Sequence, residues 1–552
     1  MTEITRHFAY TQDGRRIHYR RAGSGPPLVL LHASPSSSRV QIPLLRAWAG
    51  DFTVIALDTP GFGLSDPLPG GRVEIADLAE ALAETLDALA LDRVLLYGRH
   101  TGGSIAVEFA RRHPRRAAFV LTDGYTITPN LPSDAYLSAY LPPIEPRWDG
   151  GHMLWLWHRY RQQFVFWPWN NPAGQRADID LPALADLQRG VIELLEAGSG
   201  YAGVYAAALR YRWDEPLPHL TTPVCFGVRP GDSQFAKADY LRTAGITVET
   251  VPRDHAEAAR HELEILRRHA GGLGSAAPAR ETSGAGFGYV DIGDGRQMFV
   301  RQYGDGNGMP LVMLPPTPGA SSQVESLMLA LQGDRRVLAI DPPGNGYSDA
   351  LAGELSVPAW AAATVRALDV LGIGKAALYG RHGGAALAVE LATAFPERFA
   401  AVVLDAPAAV LAKEREAIAA QYCPPLELRW DGSHLTTLWH FVRDQRLWWP
   451  WFAHSRAAMH PGRPSIDPQE LHAEVGTLAL NMEAIAPSWR AVLGYPLLER
   501  LKTLSQPLMI GADVDDVLIA CLGAAQACRP DAVHGDFGAG RHATINAFLR
   551  GL

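Results

Sequence analysis

Short apolar segments alternate with longer amphipathic segments along most of the chain. In the first half the apolar segments cover residues 27–31, 53–57, 93–97, 118–121, 223–226 and 247–251, and in the second half residues 311–314, 337–340, 376–379, 401–404 and 508–510. Near-continuous apolar runs of this length are typical of strands that are buried on both faces of a sheet. The alternation with helical segments predicts an α/β fold, in which mostly parallel sheets are flanked by helices.

Two long segments, residues 129–215 and 410–496, interrupt this alternation. Each contains two helical stretches, and together they hold most of the tryptophans. The first segment comes shortly after the predicted strand that ends near Asp123. Because ligands bind at the carboxyl ends of the strands in an open parallel sheet, we expect each segment to form a helical lid over a binding site.

The two halves of the chain are copies of one sequence unit. Residues 95–103 (LLYGRHTGG) match residues 377–385 (ALYGRHGGA), so that the two Tyr-Gly-Arg-His strings lie 282 positions apart. Residues 145–152 (EPRWDGGH) match residues 427–434 (ELRWDGSH) at the same offset. A single long offset across separate motifs indicates a duplicated domain, since solenoid repeats have much shorter periods.

The boundary between the copies lies in residues 271–286, a segment rich in Gly, Ala and Ser. Such a composition is typical of a flexible linker. We therefore predict one domain over residues 1–270 and a second over residues 287–552, which together form an intramolecular pseudo-dimer.

Composition narrows the classes of partner. The chain of 552 residues carries 50 basic and 58 acidic residues, for a net charge of -8, so we expect neither nucleic acid nor a membrane as partner. No segment approaches the roughly 20 consecutive apolar residues of a membrane helix, and the N-terminal residues lack the apolar core of a secretory signal. The four cysteines have neither disulfide-framework nor zinc-site spacing, which favours reduced thiols in a cytoplasmic protein.

Several short motifs follow the apolar segments in a fixed order. Residues 32–35 (HASP) follow the first segment, and residues 58–66 (DTPGFGLSD) follow the second. Residues 98–102 (GRHTG) follow the third, and residues 380–384 (GRHGG) are their copy. These motifs resemble the His-Gly-x-Pro turn, the Asp-x-x-Gly-x-Gly-x-Ser segment and the nucleophile elbow of the α/β-hydrolase superfamily, in the lidded branch with esterases, dehalogenases and epoxide hydrolases. The resemblance occurs once in each half and so covers nearly the whole chain.

The resemblance implies a catalytic residue at the centre of each elbow, where this chain has His100 and His382 in place of Ser, Cys or Asp. The family acid, in a Gly-containing loop after a late strand, corresponds to Asp232 and Asp516, with Asp513 and Asp515 as rivals. The family histidine, before the last helix, corresponds to His255 and His542, with His534 as a weaker rival. The oxyanion-hole N–H groups correspond to Thr101 and Gly383 after the elbow histidines, and to Ser34 and Thr317 after the early strands.

A neutral imidazole at the elbow is both a nucleophile and a base near pH 7. We therefore predict a hydrolase for a small ester, lactone or related carbonyl compound, in which His100 and His382 attack the carbonyl or activate a water. Two alternatives remain open: a cofactor-free lyase or isomerase that uses paired histidines as acid and base, and an inactive protein that binds a small molecule. A metal site of His100, His255 and Asp232 is the least favoured hypothesis, because the family needs no metal, and no cofactor is expected.

The lids carry a second duplicated motif, Arg-Trp-Asp-Gly-x-His, followed by further tryptophans. Arginine binds carboxylates in a bidentate manner, and aromatic rings line small-molecule pockets. We therefore interpret these residues, with the arginine beside each elbow histidine, as substrate-binding: Arg99, Arg147, Trp148, His152, Trp157 and Trp167, then Arg381, Arg429, Trp430, His434, Trp439 and Trp449. The alternative interpretation is structural, with the tryptophans forming the core of the lid and Arg147 forming a local ion pair with Asp149.

Overall fold

The computed structural model describes residues 3–279, 286–460 and 462–551. The chain divides into two compact units: unit 1 is Met1–Glu145 with Leu154–Thr282, and unit 2 is Pro146–Met153 with Ser283–Leu552. Residues 280–285 of the predicted linker lie outside the described residues. The short segment Pro146–Met153, which the sequence assigns to the first lid, groups with unit 2.

Unit 1 is an α/β unit built around one large sheet. Its strands are β1 (Ile4–Tyr10), β2 (Arg16–Ala22), β3 (Pro27–Leu31), β4 (Thr53–Leu57), β5 (Val94–Arg99), β6 (Ala117–Asp123), β7 (Phe166–Trp167), β8 (Gln175–Arg176), β9 (Val224–Val228) and β10 (Val248–Thr250). Its helices are α1 (Ile42–Trp48), α2 (Ile75–Ala88), α3 (Thr101–Arg112), α4 (Asp134–Tyr140), α5 (Gly151–Gln162, whose first turn groups with unit 2), α6 (Leu184–Ala197), α7 (Tyr201–Arg210), α8 (Ala238–Thr243) and α9 (His255–His269).

The sheet of unit 1 has the strand order β1-β2-β4-β3-β5-β6-β9-β10. In this order, the last six strands (β4, β3, β5, β6, β9 and β10) are parallel to one another. Strands β1 and β2 pair antiparallel at one edge, and β2 pairs antiparallel with β4. The apolar segments 27–31 and 53–57 coincide with β3 and β4, which are buried along their whole length. The fold predicted for the first half is therefore confirmed.

Unit 2 repeats this architecture. Its strands are β11 (Gly286–Asp291), β12 (Gln297–Leu314), β13 (Arg335–Ile340), β14 (Ala376–Arg381), β15 (Phe399–Asp405), β16 (Leu508–Ala512) and β17 (Val533–Asp536). Its helices are α10 (Glu325–Leu331), α11 (Val357–Val370), α12 (Gly384–Ala394), α13 (Ala412–Gln421), α14 (Ser433–Gln445), α15 (Pro468–Ala479), α16 (Met482–Gly494), α17 (Leu497–Leu501), α18 (Ile519–Cys528) and α19 (Arg541–Arg550).

The long strand β12 occupies the places that β2 and β3 have in unit 1. Its residues 300–303 pair antiparallel with β13, and its residues 311–314 pair parallel with β14. The sheet then continues in the order β14-β15-β16-β17, with every pair parallel. The second half therefore has the predicted fold as well.

Alternate side chains of the central strands enter the cores on the two faces of the sheet. In β14, Leu378 belongs to the core beneath α11 and α12, whereas Ala377 and Tyr379 belong to the core beneath α10 and α19. Burying a Leu, Val or Ile side chain stabilises a fold by about 1.5–3 kcal/mol, and here both faces contribute. This explains why the strands read as continuous apolar runs.

In each unit the segment between two neighbouring parallel strands is mostly helical. Helices α4 to α7 lie between β6 and β9 in the sequence, and α13 to α16 lie between β15 and β16. These insertions correspond to the predicted lids. Within the described ranges, no helix combines the length and apolar character needed to span a membrane.

Candidate active site

His100 lies in the sharp turn between β5 and α3. Its backbone has φ 47° and ψ -110°, a conformation that side-chain-bearing residues rarely adopt. Gly98 and Gly102 make the turn possible, because a Cβ on Gly98 would overlap the carbonyl oxygen of Gly102, and a Cβ on Gly102 would overlap that of Leu31. The strained turn presents the imidazole at the carboxyl end of the sheet, as the elbow motif implies.

Unit 2 has the same turn. His382 follows β14 with φ 50°, and its backbone N–H donates to the carbonyl oxygen of Asp405 at 3.0 Å. A Cβ on Gly380 would lie 2.6 Å from the carbonyl oxygen of Gly384. The duplicated Gly-Arg-His-x-Gly string therefore forms one elbow in each unit.

In unit 1 the imidazole bonds directly to the carboxylate of the loop after β9. His100 Nε2 lies 2.8 Å from Asp232 Oδ2, and Asp232 Oδ1 accepts from the backbone N–H of Gln234 at 2.8 Å. Burial raises the pKa of Asp232, but the charge and hydrogen bond of His100, with the charge of Arg99, outweigh burial and hold it well below its usual value. Asp232 is therefore an anion throughout the neutral range.

Unit 2 forms the same pair. His382 Nε2 lies 2.9 Å from both carboxylate oxygens of Asp516, and Asp516 Oδ1 accepts from the N–H of Leu518 at 2.9 Å. Burial raises the pKa of Asp516, and the charge and hydrogen bond of His382 lower it by more. The rival Asp515 is exposed and accepts from the N–H of Arg463 instead. The third candidate, Asp513, lies 3.9 Å from Arg541.

The histidines at the family position stand apart from these pairs. His255, at the start of α9, is exposed, and its Nδ1 lies 3.0 Å from Arg229 Nη1 rather than against Asp232. His542, in the first turn of α19, and His534, on β17, are also exposed. In both units the acid is hydrogen-bonded to the elbow imidazole instead. A Ser-His-Asp-type order of contacts through His255 or His542 is therefore not formed in this structure.

The predicted oxyanion-hole residues lie around the elbows. Thr101 and Thr317 are buried, and Ser34 is partly exposed. In unit 2 the two predicted donors are neighbours, because a Cβ on Gly383 would lie 3.2 Å from the backbone nitrogen of Thr317. Their role as donors to an oxyanion stays a prediction.

Behind each elbow lies a buried acid that the sequence reasoning did not assign to the site. Asp123, the last residue of β6, is fully buried, and its Oδ2 lies 2.9 Å from Arg229 and 3.3 Å from the Tyr97 hydroxyl. Arg229 also pairs with buried Glu262 at 3.3 Å. Burial and then the charge of Asp123 raise the pKa of Glu262. This network supports the floor of the site in unit 1.

Unit 2 builds the corresponding network from a different element. Asp405 is fully buried and accepts from the Tyr379 hydroxyl, and its cation is Arg541 on α19, at 3.4 Å. The signal in the sequence was present: Tyr and Asp recur at the same 282-residue offset as the elbow histidines. The arginine could not be found this way, because it comes from non-equivalent positions.

The arginines beside the elbow histidines lie close to these acids. Arg99 Nε is 3.6 Å from Asp123, and its Nη2 is 3.9 Å from Asp232, with 41% of its side chain exposed. Arg381 is bound more closely, with Nη2 3.3 Å from Asp516 and 26% of its side chain exposed. Both guanidinium groups therefore lie beside the imidazole–carboxylate pairs.

The Arg-Trp-Asp-Gly-x-His motif forms a compact local structure. The backbone N–H of Arg147 donates to Nδ1 of His152 at 3.1 Å, and the Arg147 side chain forms an exposed ion pair with Asp149 at 2.7 Å. The second copy repeats the first contact, since the N–H of Arg429 donates to Nδ1 of His434 at 3.1 Å. The geometry favours the structural interpretation of Arg147 and His152 over the substrate-binding one.

Unit 2 also surrounds the His152 ring with aromatic groups. The ring packs edge-on against Trp439, with centroids 4.6 Å apart, and its Nε2 lies 3.1 Å from Nδ1 of His472. Burial lowers the pKa of His152 to about 4, and it lowers that of His434 to about 4. Both rings are therefore neutral parts of a packed core at neutral pH.

The remaining lid residues fall into three groups by exposure. Trp157 and Trp439 are buried, and Trp148 and Trp430 are 60% and 50% exposed. Trp167 and Trp449 are partly buried, and Arg429 is exposed. Trp167 lies close to the loop of Asp232, because Lys237 of that loop lies 5.7 Å from its ring centroid. Substrate contact by the six tryptophans of this set stays a prediction.

Among the described residues, no three His, Cys, Asp or Glu side chains are arranged to hold a metal ion. His100 and Asp232 hydrogen-bond to each other, and His255 contacts Arg229. The hypothetical metal set of these three residues is therefore not brought together.

Comparison with known proteins places these observations in a family. A family model described as the alpha/beta hydrolase fold matches residues 26–181 and 309–423, one segment in each half. Among curated proteins, a putative non-heme haloperoxidase of Mycobacterium phage D29 is 41% identical over 113 residues, which are 20% of this chain and 40% of that protein. A soluble epoxide hydrolase of Corynebacterium sp. (strain C12) is 43% identical over 110 residues, which are 20% of this chain and 37% of that protein.

These matches span about two fifths of the length of the curated relatives. Among solved structures, an epoxide hydrolase from an endophytic Streptomyces shares 20% identity, covering 48% of this chain and 95% of that chain with a TM-score of 0.39. An enol-lactonase from Burkholderia xenovorans LB400 shares 19% identity, covering 48% and 97% with a TM-score of 0.36. With the sheet order and the two elbows, the family match identifies the chain as a member of the α/β-hydrolase superfamily.

Proposed function

We propose that the protein hydrolyses a small ester, lactone or related carbonyl compound, and that the elbow imidazole of each unit is the base that activates water. One observation carries the proposal: in both units an imidazole on a strained elbow is hydrogen-bonded to a buried carboxylate, at 2.8 Å in unit 1 and 2.9 Å in unit 2. A pair of this kind is the base and its orienting acid in many hydrolytic sites.

The hydrogen bond supports a proposal for the reacting nitrogen. Because Asp232 is ionised, Nε2 of His100 carries the proton and donates it to the carboxylate. The unprotonated nitrogen is then Nδ1, for which the described part of the chain provides no hydrogen bond. The same assignment applies to His382 with Asp516. Nδ1 is thus the atom that accepts a proton from water.

The proposed steps balance in protons and charge. Water loses a proton to Nδ1 as its oxygen attacks the carbonyl carbon, and the carboxylate stabilises the imidazolium that forms. The carbonyl oxygen becomes an oxyanion, with the N–H groups of Thr101 and Ser34, or of Gly383 and Thr317, as the proposed donors. The carbon–oxygen bond to the leaving alkoxide then breaks, and the imidazolium returns its proton to that alkoxide.

Water activation is favoured over covalent catalysis by the contacts of the second histidine. An acyl-imidazole on His100 needs another base to activate the water that releases the acid. His255, the residue expected at that position, bonds to Arg229 and not to the Asp232 carboxylate. One imidazole per unit is sufficient only if it acts on water directly.

The test is hydrolysis of activated esters and lactones in water enriched in heavy oxygen, with mass spectrometry of both product and protein. We compare the natural chain with His100→Ala, His382→Ala and the double variant, and with His440→Ala as a control, since His440 is an exposed histidine outside both pairs. We expect solvent oxygen in the released acid, no adduct on the protein, loss of the activity of one unit in each single variant, and loss of all activity in the double variant.

Each other outcome refutes a defined part of the proposal. An acyl group on His100 or His382 would establish covalent catalysis instead of water activation. A cleaved or isomerised product without solvent oxygen would indicate a lyase or isomerase. Ligand binding without turnover in any of these assays would indicate a binding protein.

A further inference from the structure

The loop after the catalytic acid of unit 1 carries an unusual side chain. Lys237 is the only lysine among residues 1–282, where every other permanent cation is an arginine. It immediately precedes α8, five positions after Asp232. The loop between them is held in place, because Gln234 donates its N–H to Asp232 and its side-chain oxygen accepts from the N–H of Ile127 at 2.9 Å. The backbone of Lys237 therefore has a well-defined position close in the chain to Asp232.

The ammonium group of Lys237 lies close to a tryptophan of the lid. Its Nζ is 5.7 Å from the ring centroid of Trp167, and the side chain is partly buried. Burial lowers the pKa of Lys237, and the nearby charge of Asp232 opposes this effect. In the part of unit 1 that the structure describes, no carboxylate lies within 4.0 Å of Nζ. A partly desolvated cation without an ion-pair partner is suited to bind an anionic ligand group.

A second cation lies beside the same acid. Arg99 reaches Asp123 and Asp232 only at 3.6 and 3.9 Å, and 41% of its side chain is exposed. The hydrogen bond of His100 already uses one oxygen of Asp232, so the site in unit 1 combines one catalytic anion with two incompletely paired cations. The site in unit 1 therefore carries an excess of positive charge.

Unit 2 lacks this surplus. The offset of 284 that relates Asp232 to Asp516 places Cys521 at the position of Lys237, and Cys521 is buried. Arg381 is bound to Asp516 at 3.3 Å and is less exposed than Arg99. The anion and the cation of this site therefore pair directly with each other.

We infer that unit 1 acts on a substrate that carries a carboxylate, which Lys237 binds with the help of Arg99, whereas unit 2 acts on an uncharged substrate. The inference rests on the proposed hydrolytic function, and it adds a substrate class and a specificity-determining residue. Lys237 touches the substrate carboxylate and not the reacting carbonyl. Its removal should therefore raise KM for the anionic substrate and leave kcat for a neutral one unchanged.

The experiment uses the full chain with His382→Ala, so that only unit 1 can act. Two esters are compared: the 4-nitrophenyl half-ester of succinic acid, which carries a carboxylate, and its neutral methyl ester. We expect a higher kcat/KM for the half-ester. Lys237→Gln should raise its KM about tenfold to a hundredfold, which is the range for losing one hydrogen bond to a charged group, and Lys237→Arg should retain part of the preference. Lys375→Gln, on an exposed lysine of unit 2, is the matched control.

Retention of the full preference in Lys237→Gln would overturn the inference and leave the proposed hydrolysis intact. If neither ester is hydrolysed, the proposed function fails, and a binding experiment decides the inference alone. Acetic anhydride acetylates accessible amines, and mass spectrometry reports the modified fraction of Lys237. Protection of Lys237 but not of Lys375 by succinate supports the carboxylate site, and equal acetylation with and without succinate overturns it.

Discussion

Replacing Asp232 by Asn is the most direct test of the imidazole–carboxylate pair. The change keeps the shape of the side chain and removes the charge that stabilises the imidazolium in the transition state. Two unit charges 2.8 Å apart interact by about 6 kcal/mol at an effective dielectric constant of about 20, which is about 10⁴-fold in rate. His100 is 27% exposed, so water screens part of this interaction. We therefore expect kcat to fall by about 10³-fold.

The assay is hydrolysis of a 4-nitrophenyl ester by the full chain with His382→Ala, which confines turnover to unit 1. Asp239→Asn is the control, because Asp239 is an exposed acid on α8 that pairs with Arg242. The amide of Asn can also donate a hydrogen bond to Nε2 of His100. This favours the tautomer with the proton on Nδ1, which adds to the loss of activity. A folded Asp232→Asn protein that retains more than a tenth of the activity would refute the role of the pair.

Three further predictions concern the surroundings of the two sites. Gly124→Ala places a Cβ 2.9 Å from His100 Nε2 in a left-handed backbone (φ 71°), so we expect unit 1 activity to fall about 10²-fold; an unchanged rate would contradict the contact. The pKa of His152 is about 4 in the folded protein and about 6.5 in the unfolded chain, so the unfolded chain binds the proton more readily as the pH falls. We therefore expect the free energy of unfolding to have its full value above pH 6.5 and to be lower by roughly 2–3 kcal/mol at pH 4.5. Urea unfolding at both pH values checks this, and His152→Gln should remove that part of the pH dependence. Arg541→Met leaves buried Asp405 without its cation and should destabilise unit 2 by about 3–5 kcal/mol in the same assay; a loss below 1 kcal/mol would count against it.

Much of the fold could be predicted from the sequence because the central strands are buried on both faces. Strands β3 and β4 coincide with their apolar segments, and β5 and β6 differ from theirs by one or two residues at the ends. The edge strands gave no such signal. Strand β1 contains Arg6 and His7 and is mostly only partly buried, and β17 is mostly exposed, because an edge strand has little apolar surface to bury.

The positions of the elbow histidines were also predictable, since a short Gly-x-His-x-Gly string after a buried strand leaves few alternatives. For the acid of unit 2, the sequence predicted only a choice among three neighbouring aspartates. Asp513, Asp515 and Asp516 are neighbours in the sequence, and the backbone of the loop decides that Asp516 faces His382 while Asp515 faces Arg463. Sequence spacing does not specify side-chain direction in an irregular loop.

The sequence alone determined the duplicated α/β-hydrolase fold, the two elbows and the absence of the usual nucleophile, because each depends on local patterns. The tertiary structure alone decided that each elbow imidazole bonds to the acid directly, and that His255 pairs with Arg229. It also decided that Arg147 pairs with Asp149 at the surface, and that Lys237 lies beside the lid. These contacts join residues that are up to 134 positions apart in the sequence, and only the folded backbone sets their distances and directions.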